Sequence, residues 1–92
     1  LDTAKVAYII SQDPQTIAYR LTRELDRGVT ILQGRGAWSG QDKEVLMCAF
    51  KQRQIVAMKR MVKEIDPDAF LIVCDAHDVM GEGFRQYQQN DL

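Results

Sequence analysis

Four runs of apolar residues alternate along this chain with two segments in which apolar positions recur every three or four residues. Residues 5–10, Lys-Val-Ala-Tyr-Ile-Ile, are rich in β-branched and aromatic side chains and predict a strand. Asp13-Pro14 then has the form of a helix start, Asp as N-cap and Pro at the first helical position. Ile17, Leu21 and Leu25 recur every fourth residue with Ala18 alongside, which makes one face of a helix. Gly28 is placed to end that helix as its C′ residue. Residues 29–32 predict a second strand and 44–50 a third. Ile55, Met58, Val62 and Ile65 mark the apolar face of a second helix over 52–65, which lacks a strong N-cap residue. Asp66-Pro67 stops it, because the residue before a proline disfavours the α region. Residues 70–74, Phe-Leu-Ile-Val-Cys, predict the fourth strand.

The order βαββαβ predicts an α+β, ferredoxin-like domain: a four-stranded antiparallel sheet with both helices on one face. Such a sheet ordinarily alternates apolar and polar residues. Here Leu46, Cys48 and Phe50 point one way, and Val45, Met47 and Ala49 point the other. Phe70, Ile72 and Cys74 likewise oppose Leu71 and Val73. The helices can cover one face. The other is left as a large apolar patch that needs a partner. We expect self-association through the sheet, as a dimer or trimer; the alternative is that the C-terminal tail folds back over that face.

At 92 residues the chain is one small domain, which buries roughly 60–65% of its unfolded surface. We expect a core over 4–84 and a flexible tail over 85–92. Lys and Arg nearly balance Asp and Glu, for a net charge of −1. A nucleic-acid binder usually carries a basic excess, so nucleic acid is not an expected partner. No apolar run approaches the roughly 20 residues that span a bilayer. The chain starts at Leu1, and we take it as part of a longer protein. Cys48 and Cys74 fall in strand-like runs with no metal or redox spacing, so both are expected to be small buried hydrophobes in a reducing compartment.

The candidate chemistry concentrates in two glycine-rich stretches. In the loop 34–40, Gly34, Gly36 and Gly40 surround Arg35, Trp38 and Ser39, with Lys43 close by. Glycine lets backbone amides approach a ligand, arginine supplies a forked charge and tryptophan a flat apolar face. Amides near Gly34 and Gly36 would form a concave donor surface for an anion, with Arg35 and Lys43 adding charge. The plain alternative is a hairpin whose glycines serve turn geometry. The loop is neither a P-loop, lacking Gly-Lys-Ser/Thr, nor a dinucleotide fingerprint, since it leads into a strand. The second stretch, Gly81-Glu82-Gly83-Phe84, could close over a neighbour's site, with Glu82 as an acceptor and Phe84 as an anchor; the plain alternative is that Phe84 fills a gap and the glycines turn the chain.

Other clusters read as structural. Asp75, His77 and Asp78 suggest metal ligands, but there is no second histidine, so no metal site is expected. Asp66 and Asp68 are read as turn and capping residues beside Pro67. The one histidine has no serine or cysteine partner, and neither an enzyme nor a catalytic residue is expected. Lys59, Arg60 and Lys63 form a basic stripe on the second helix, read by default as a solvated face; the alternative is a weak attraction to an anionic membrane surface if the parent protein is membrane-bound.

Several motifs recur in one order: Arg27-Gly28-Val29-Thr30, the whole loop 34–40 with Lys43, Val45-Leu46-Met47-Cys48, Ile65-Asp66-Pro67-Asp68-Ala69-Phe70, and Val79-Met80-Gly81-Glu82-Gly83-Phe84. Over about residues 4–84 the chain resembles the C-terminal domain of the YitT family. That resemblance implies a cytoplasmic domain of a bacterial membrane protein, attached to the plasma membrane, with a topology similar to PII signal-transduction proteins. Those are trimers that bind nucleotides and small metabolites. Trp38 stands where tyrosine is expected. The family brings no catalytic residues with it, and the cofactor stays unknown. The expected function is therefore a regulatory or sensor domain. It would bind a small anionic metabolite or nucleotide at a cleft between subunits, next to the membrane portion of its parent. The alternative is an oligomerisation module that binds nothing small.

Overall fold

A computed structural model of the chain describes residues 3–77 and Met80. The elements are β1 (Ala4–Ile10), α1 (Pro14–Leu25), β2 (Val29–Arg35), β3 (Asp42–Lys51), a 3-10 turn (Gln52–Gln54), α2 (Ile55–Ile65) and β4 (Phe70–Asp75). The strands form one antiparallel sheet in the order β2-β3-β1-β4. This is the expected ferredoxin-like α+β fold. The stretch 81–84, Asp78 and the tail 85–92 lie outside the described residues.

β1 is central because both its neighbours match it in apolar content. Ile9 stands opposite Leu46 on β3 and Leu71 on β4, and Ala7 opposite Cys48 and Val73. This side of the sheet packs with Ile17 and Leu21 of α1 and with Met58, Met61 and Val62 of α2 in one core. Each fully buried Ile or Leu contributes about 1.5–3 kcal/mol relative to exposure.

The helix ends show what periodicity alone could not. At the start of α1, the Asp13 carboxylate accepts from the Thr16 amide at 3.3 Å, as expected of an N-cap. The C-terminus differs from expectation. The helix ends at Leu25, and Asp26, not Gly28, takes the left-handed conformation with φ 54°. Asp tolerates that region because its short polar side chain clashes little. α2 has no side-chain cap: Gln54 stands at the N-cap position but serves the start of the 3-10 turn instead. Its side-chain oxygen accepts from the Lys51 amide at 3.0 Å, and its nitrogen donates to the Leu25 carbonyl at 3.0 Å. One side chain thus ties the start of the second helical segment to the end of α1.

The opposite side of the sheet carries Val6, Tyr8, Ile10, Leu32, Val45, Met47, Phe70, Ile72 and Cys74 by strand alternation. Among them Phe70 is 60% exposed and Ile72 43%. The expected two-sided apolar sheet is therefore present, with one side open to solvent among the described residues. Cys74 corrects an expectation: it is exposed on this open face, whereas Cys48 is buried under the helices. Pleat parity sends the two side chains to opposite faces. Burial pushes the Cys48 thiol up to about 11, against a smaller downward pull from the Arg27 charge.

Candidate functional site

The glycine-rich segment is committed to a hydrogen-bonded hairpin. Gly34 and Arg35 belong to β2, opposite Lys43 and Asp42 of β3. Only residues 36–41 form the connection. The strands run on past the apolar pattern because backbone pairing needs no particular side chains. The Gly36 amide donates to the Gln41 carbonyl at 2.8 Å, and the Gly40 amide to the Gly36 carbonyl at 2.8 Å. The Gln41 amide donates to the Ser39 hydroxyl at 3.2 Å. Gly40 has φ +73°, a conformation glycine adopts without cost. A Cβ on Gly36 would fall 2.5 Å from the Ser39 hydroxyl oxygen, which would have to turn away from the Gln41 amide to make room.

These bonds revise the expected anion cradle. The Gly36 amide is used inside the hairpin, and Gly34 sits within the ladder. Within the connection, the amides of Ala37, Trp38 and Ser39 at the tip take no part in these bonds. Trp38 is fully exposed there. Arg35 and Lys43 do not converge either. The register puts Arg35 on the helix side of the β2–β3 arm and Lys43 on the open side. The Lys43 stem lies against Gly34 and Gly36, within 4 Å of where their Cβ atoms would be. Within one chain, then, the tryptophan, arginine and lysine occupy one end of the molecule but point three ways. Gly81, Glu82, Gly83 and Phe84 lie outside the described residues.

The same end of the sheet holds a feature the sequence did not announce. An open depression of about 350 Å³ lies between Ile10, Ser11, Gln12, Gln41, Asp42, Lys43, Asp66, Asp68 and Phe70. Asp66 is its fixed point. The carboxylate accepts from the Ser11 hydroxyl at 2.6 Å, from the Gln12 amide at 3.0 Å and from the Asp68 amide at 3.0 Å. The Ser11 bond, then the Gln12 amide, holds the Asp66 carboxyl below its ordinary value. Asp66 and Asp68 are thus turn and cap residues, as expected. With three carboxylates and one ammonium around it, the depression favours cationic groups over anions. Asp66-Pro67 was legible as a helix stop; its pairing with Ser11, across the sheet end, was not.

Asp75 forms an ion pair with Lys5. Among the described residues no group of His, Cys, Asp and Glu could hold a metal ion. Among them, too, no helix is long and apolar enough to cross a membrane.

A model of the family described as "Uncharacterized protein conserved in bacteria (DUF2179)" matches residues 27–81, from the end of α1 through the hairpin to the second glycine stretch. The chain belongs to that family. DUF2179 relatives are long: UPF0750 membrane protein YpjC of Bacillus subtilis is 44% identical over 88% of this chain, which spans only 28% of YpjC. UPF0750 membrane protein YitT of the same organism is 24% identical over 82% of the chain and 27% of its own length. These matches agree with the YitT-family resemblance. A DUF2179 crystal structure from Eubacterium ventriosum superposes with TM-score 0.71 at 42% identity, covering 79% of this chain and all of that one. More distant folds include CPII, a nitrogen regulatory PII-like protein from Thiomonas intermedia bound to ADP, AMP and bicarbonate. It has TM-score 0.55 and 16% identity, over 83% of this chain and 87% of that one. The divalent cation tolerance protein of Thermus thermophilus has TM-score 0.56 and 20% identity, over 97% and 93% of the two chains. The DUF2179 fold is thus PII-like.

Proposed function

We propose that this chain is the cytoplasmic regulatory domain of a bacterial integral membrane protein, assembling through its open sheet face and binding a small anionic metabolite or nucleotide where copies meet. The observation that carries the proposal is the open face itself. Phe70 and Ile72, with Tyr8, Ile10, Val45 and Met47 beside them, form a contiguous apolar surface that water solvates poorly. A second copy of the chain presents the same surface and is the self-complementary partner for it. The divergence of Arg35 and Lys43 fits a shared site. One chain cannot close both cations on an anion, whereas neighbouring hairpins could contribute one each, with Trp38 and the tip amides of Ala37 and Ser39 completing the contact. A PII-like relative in fold carries ADP, AMP and bicarbonate, which supports this ligand class on this architecture. Two free cysteines suit a reducing, cytoplasmic setting. Regulation would follow if the ligand bound one arrangement of the parent protein more tightly than another.

A second reading has its own support. The internally bonded hairpin and the acidic depression beside it leave few donors for an anion, which favours an assembly module with no small ligand.

Light scattering over a range of concentrations, on wild type and on Ile72→Glu, tests the shared part. We expect an oligomer that the charge on β4 dissociates. A wild-type chain that stays monomeric at micromolar concentration would sink both readings. A thermal-shift screen of nucleotides and small anions then separates them. A stabilising compound whose effect is lost in Arg35→Ala supports the sensor, and no shift with any compound leaves the assembly module.

A further inference from the structure

The charge of this chain is unevenly spread. The two helices and the 3-10 turn carry six of the twelve Lys and Arg but only two of the thirteen Asp and Glu. They therefore hold +4, and the rest of the chain −5, within a total of −1. On α2 the excess faces outward: Lys59, Arg60 and Lys63 share the side opposite Met58, Met61 and Val62, around a Val56 that is 63% exposed. On α1, Tyr19 is 60% exposed, with the Arg23 guanidinium 5.2 Å from its ring centre. The layer's two acids are both engaged by one cation. Arg20 binds Glu24 at 2.5 Å and lies 3.8 Å from Glu64. Lys63 donates to the Pro67 and Ala69 carbonyls, and its charge also acts on the nearby Asp66 carboxylate. Lys59, Arg60 and Arg23 have no carboxylate partner among the described residues.

We infer that the outward face of the α1–α2 layer is a docking surface for an anionic lipid bilayer. Cations interleaved with an exposed aromatic and an exposed aliphatic residue are the pattern of a surface that lies on headgroups. Tyr19 and Val56 would enter the headgroup boundary while lysine and arginine stems extend to the phosphates. The relatives place such a domain near a membrane. YpjC is named a membrane protein, and this chain spans 28% of it. The planar bilayer also suits the charge distribution, since it meets only the positive layer. A flexible polyanion that wraps the molecule would meet the −5 of the remainder. The inference needs neither the sheet assembly nor the anion site.

Vesicle co-flotation tests it. The probes are vesicles of phosphatidylcholine alone and of phosphatidylcholine mixed with phosphatidylglycerol, at low and high salt. We expect binding to the anionic vesicles only, weakening with salt. Lys59→Gln combined with Arg60→Gln should reduce partitioning about twenty-five-fold, from about five-fold per cation. Arg23→Gln serves as an independent variant, and Lys51→Gln, on the open sheet side at the end of β3, should leave binding unchanged. A thermal melt of each variant confirms folding. Equal binding to neutral vesicles, insensitivity to the helix variants, or tighter capture of single-stranded RNA than of anionic vesicles would overturn the inference. Light scattering on the same samples reads the sheet assembly separately.

Discussion

The Ser11 hydroxyl donates to the Asp66 carboxylate at 2.6 Å, joining the end of β1 to the end of α2 across 55 residues of chain. The bond does two jobs. It closes the sheet end where the open depression lies, and it stabilises the ionised form of Asp66. Because the folded carboxyl sits below its ordinary value, its stabilisation is complete above the unfolded pKa. It is lost as pH falls through the folded pKa. Urea unfolding should therefore show wild type losing stability below about pH 4. Asp66→Asn should be less stable at neutral pH and flatter in that acid window. An unchanged acid slope in the variant would show that Asp66 is not a source of the acid sensitivity.

Leu21 is fully buried between the helix layer and the sheet. Leu21→Ala should cost about 2–5 kcal/mol, transfer and cavity terms together. By contrast Val56→Ala, on the outward side of α2, should stay within about 0.5 kcal/mol. Chemical denaturation of the pair measures the difference. Equal effects would mean that α2 does not present the faces described here.

The two thiols make a built-in probe of the open face. Cys48 is buried and its thiol resists ionisation, while Cys74 is exposed on β4. A maleimide or disulfide reagent should modify Cys74 alone in the native chain. Cys48 should react only on unfolding. If copies cover the sheet, Cys74 labelling should slow as concentration rises and recover in Ile72→Glu. Two thiols reacting at one rate in the folded chain would contradict the placement.

Trp38 is the sole tryptophan and is fully exposed at the hairpin tip. Its fluorescence should be that of a water-exposed indole and should shift to the blue when a ligand or partner covers the tip. Trp38→Ala should leave the melting temperature unchanged, because the side chain packs on nothing. Gly40→Ala should destabilise by about 1–2 kcal/mol through its left-handed backbone. A buried emission spectrum in the isolated monomer would refute this geometry of the tip.

Much of the architecture was legible in the residues. Ile17, Leu21 and Leu25 announce α1 because a 3.6-residue period writes one apolar stripe. Asp13-Pro14 announces its start because a cap is a local bond. The two-sided apolar strands announce the open face because side chains alternate along any strand. The reach of β2 and β3 was hidden in Gly34, Arg35, Asp42 and Lys43, which carry no apolar signal and are held by backbone pairing. Asp26 taking the left-handed turn in place of Gly28 was hidden too, since several residues near a helix end can serve.

By itself, then, the sequence determined the two helices, the four strands and the fact that both sheet faces are apolar, all consequences of short-range periodicity. Only the tertiary structure decided which long-range partners meet. Register sends Arg35 and Lys43 to opposite sides and parts Cys48 from Cys74. Strand order brings Ser11 to Asp66, and helix packing gathers the cations into one layer. Those outcomes depend on how distant segments align, and no local pattern encodes that alignment.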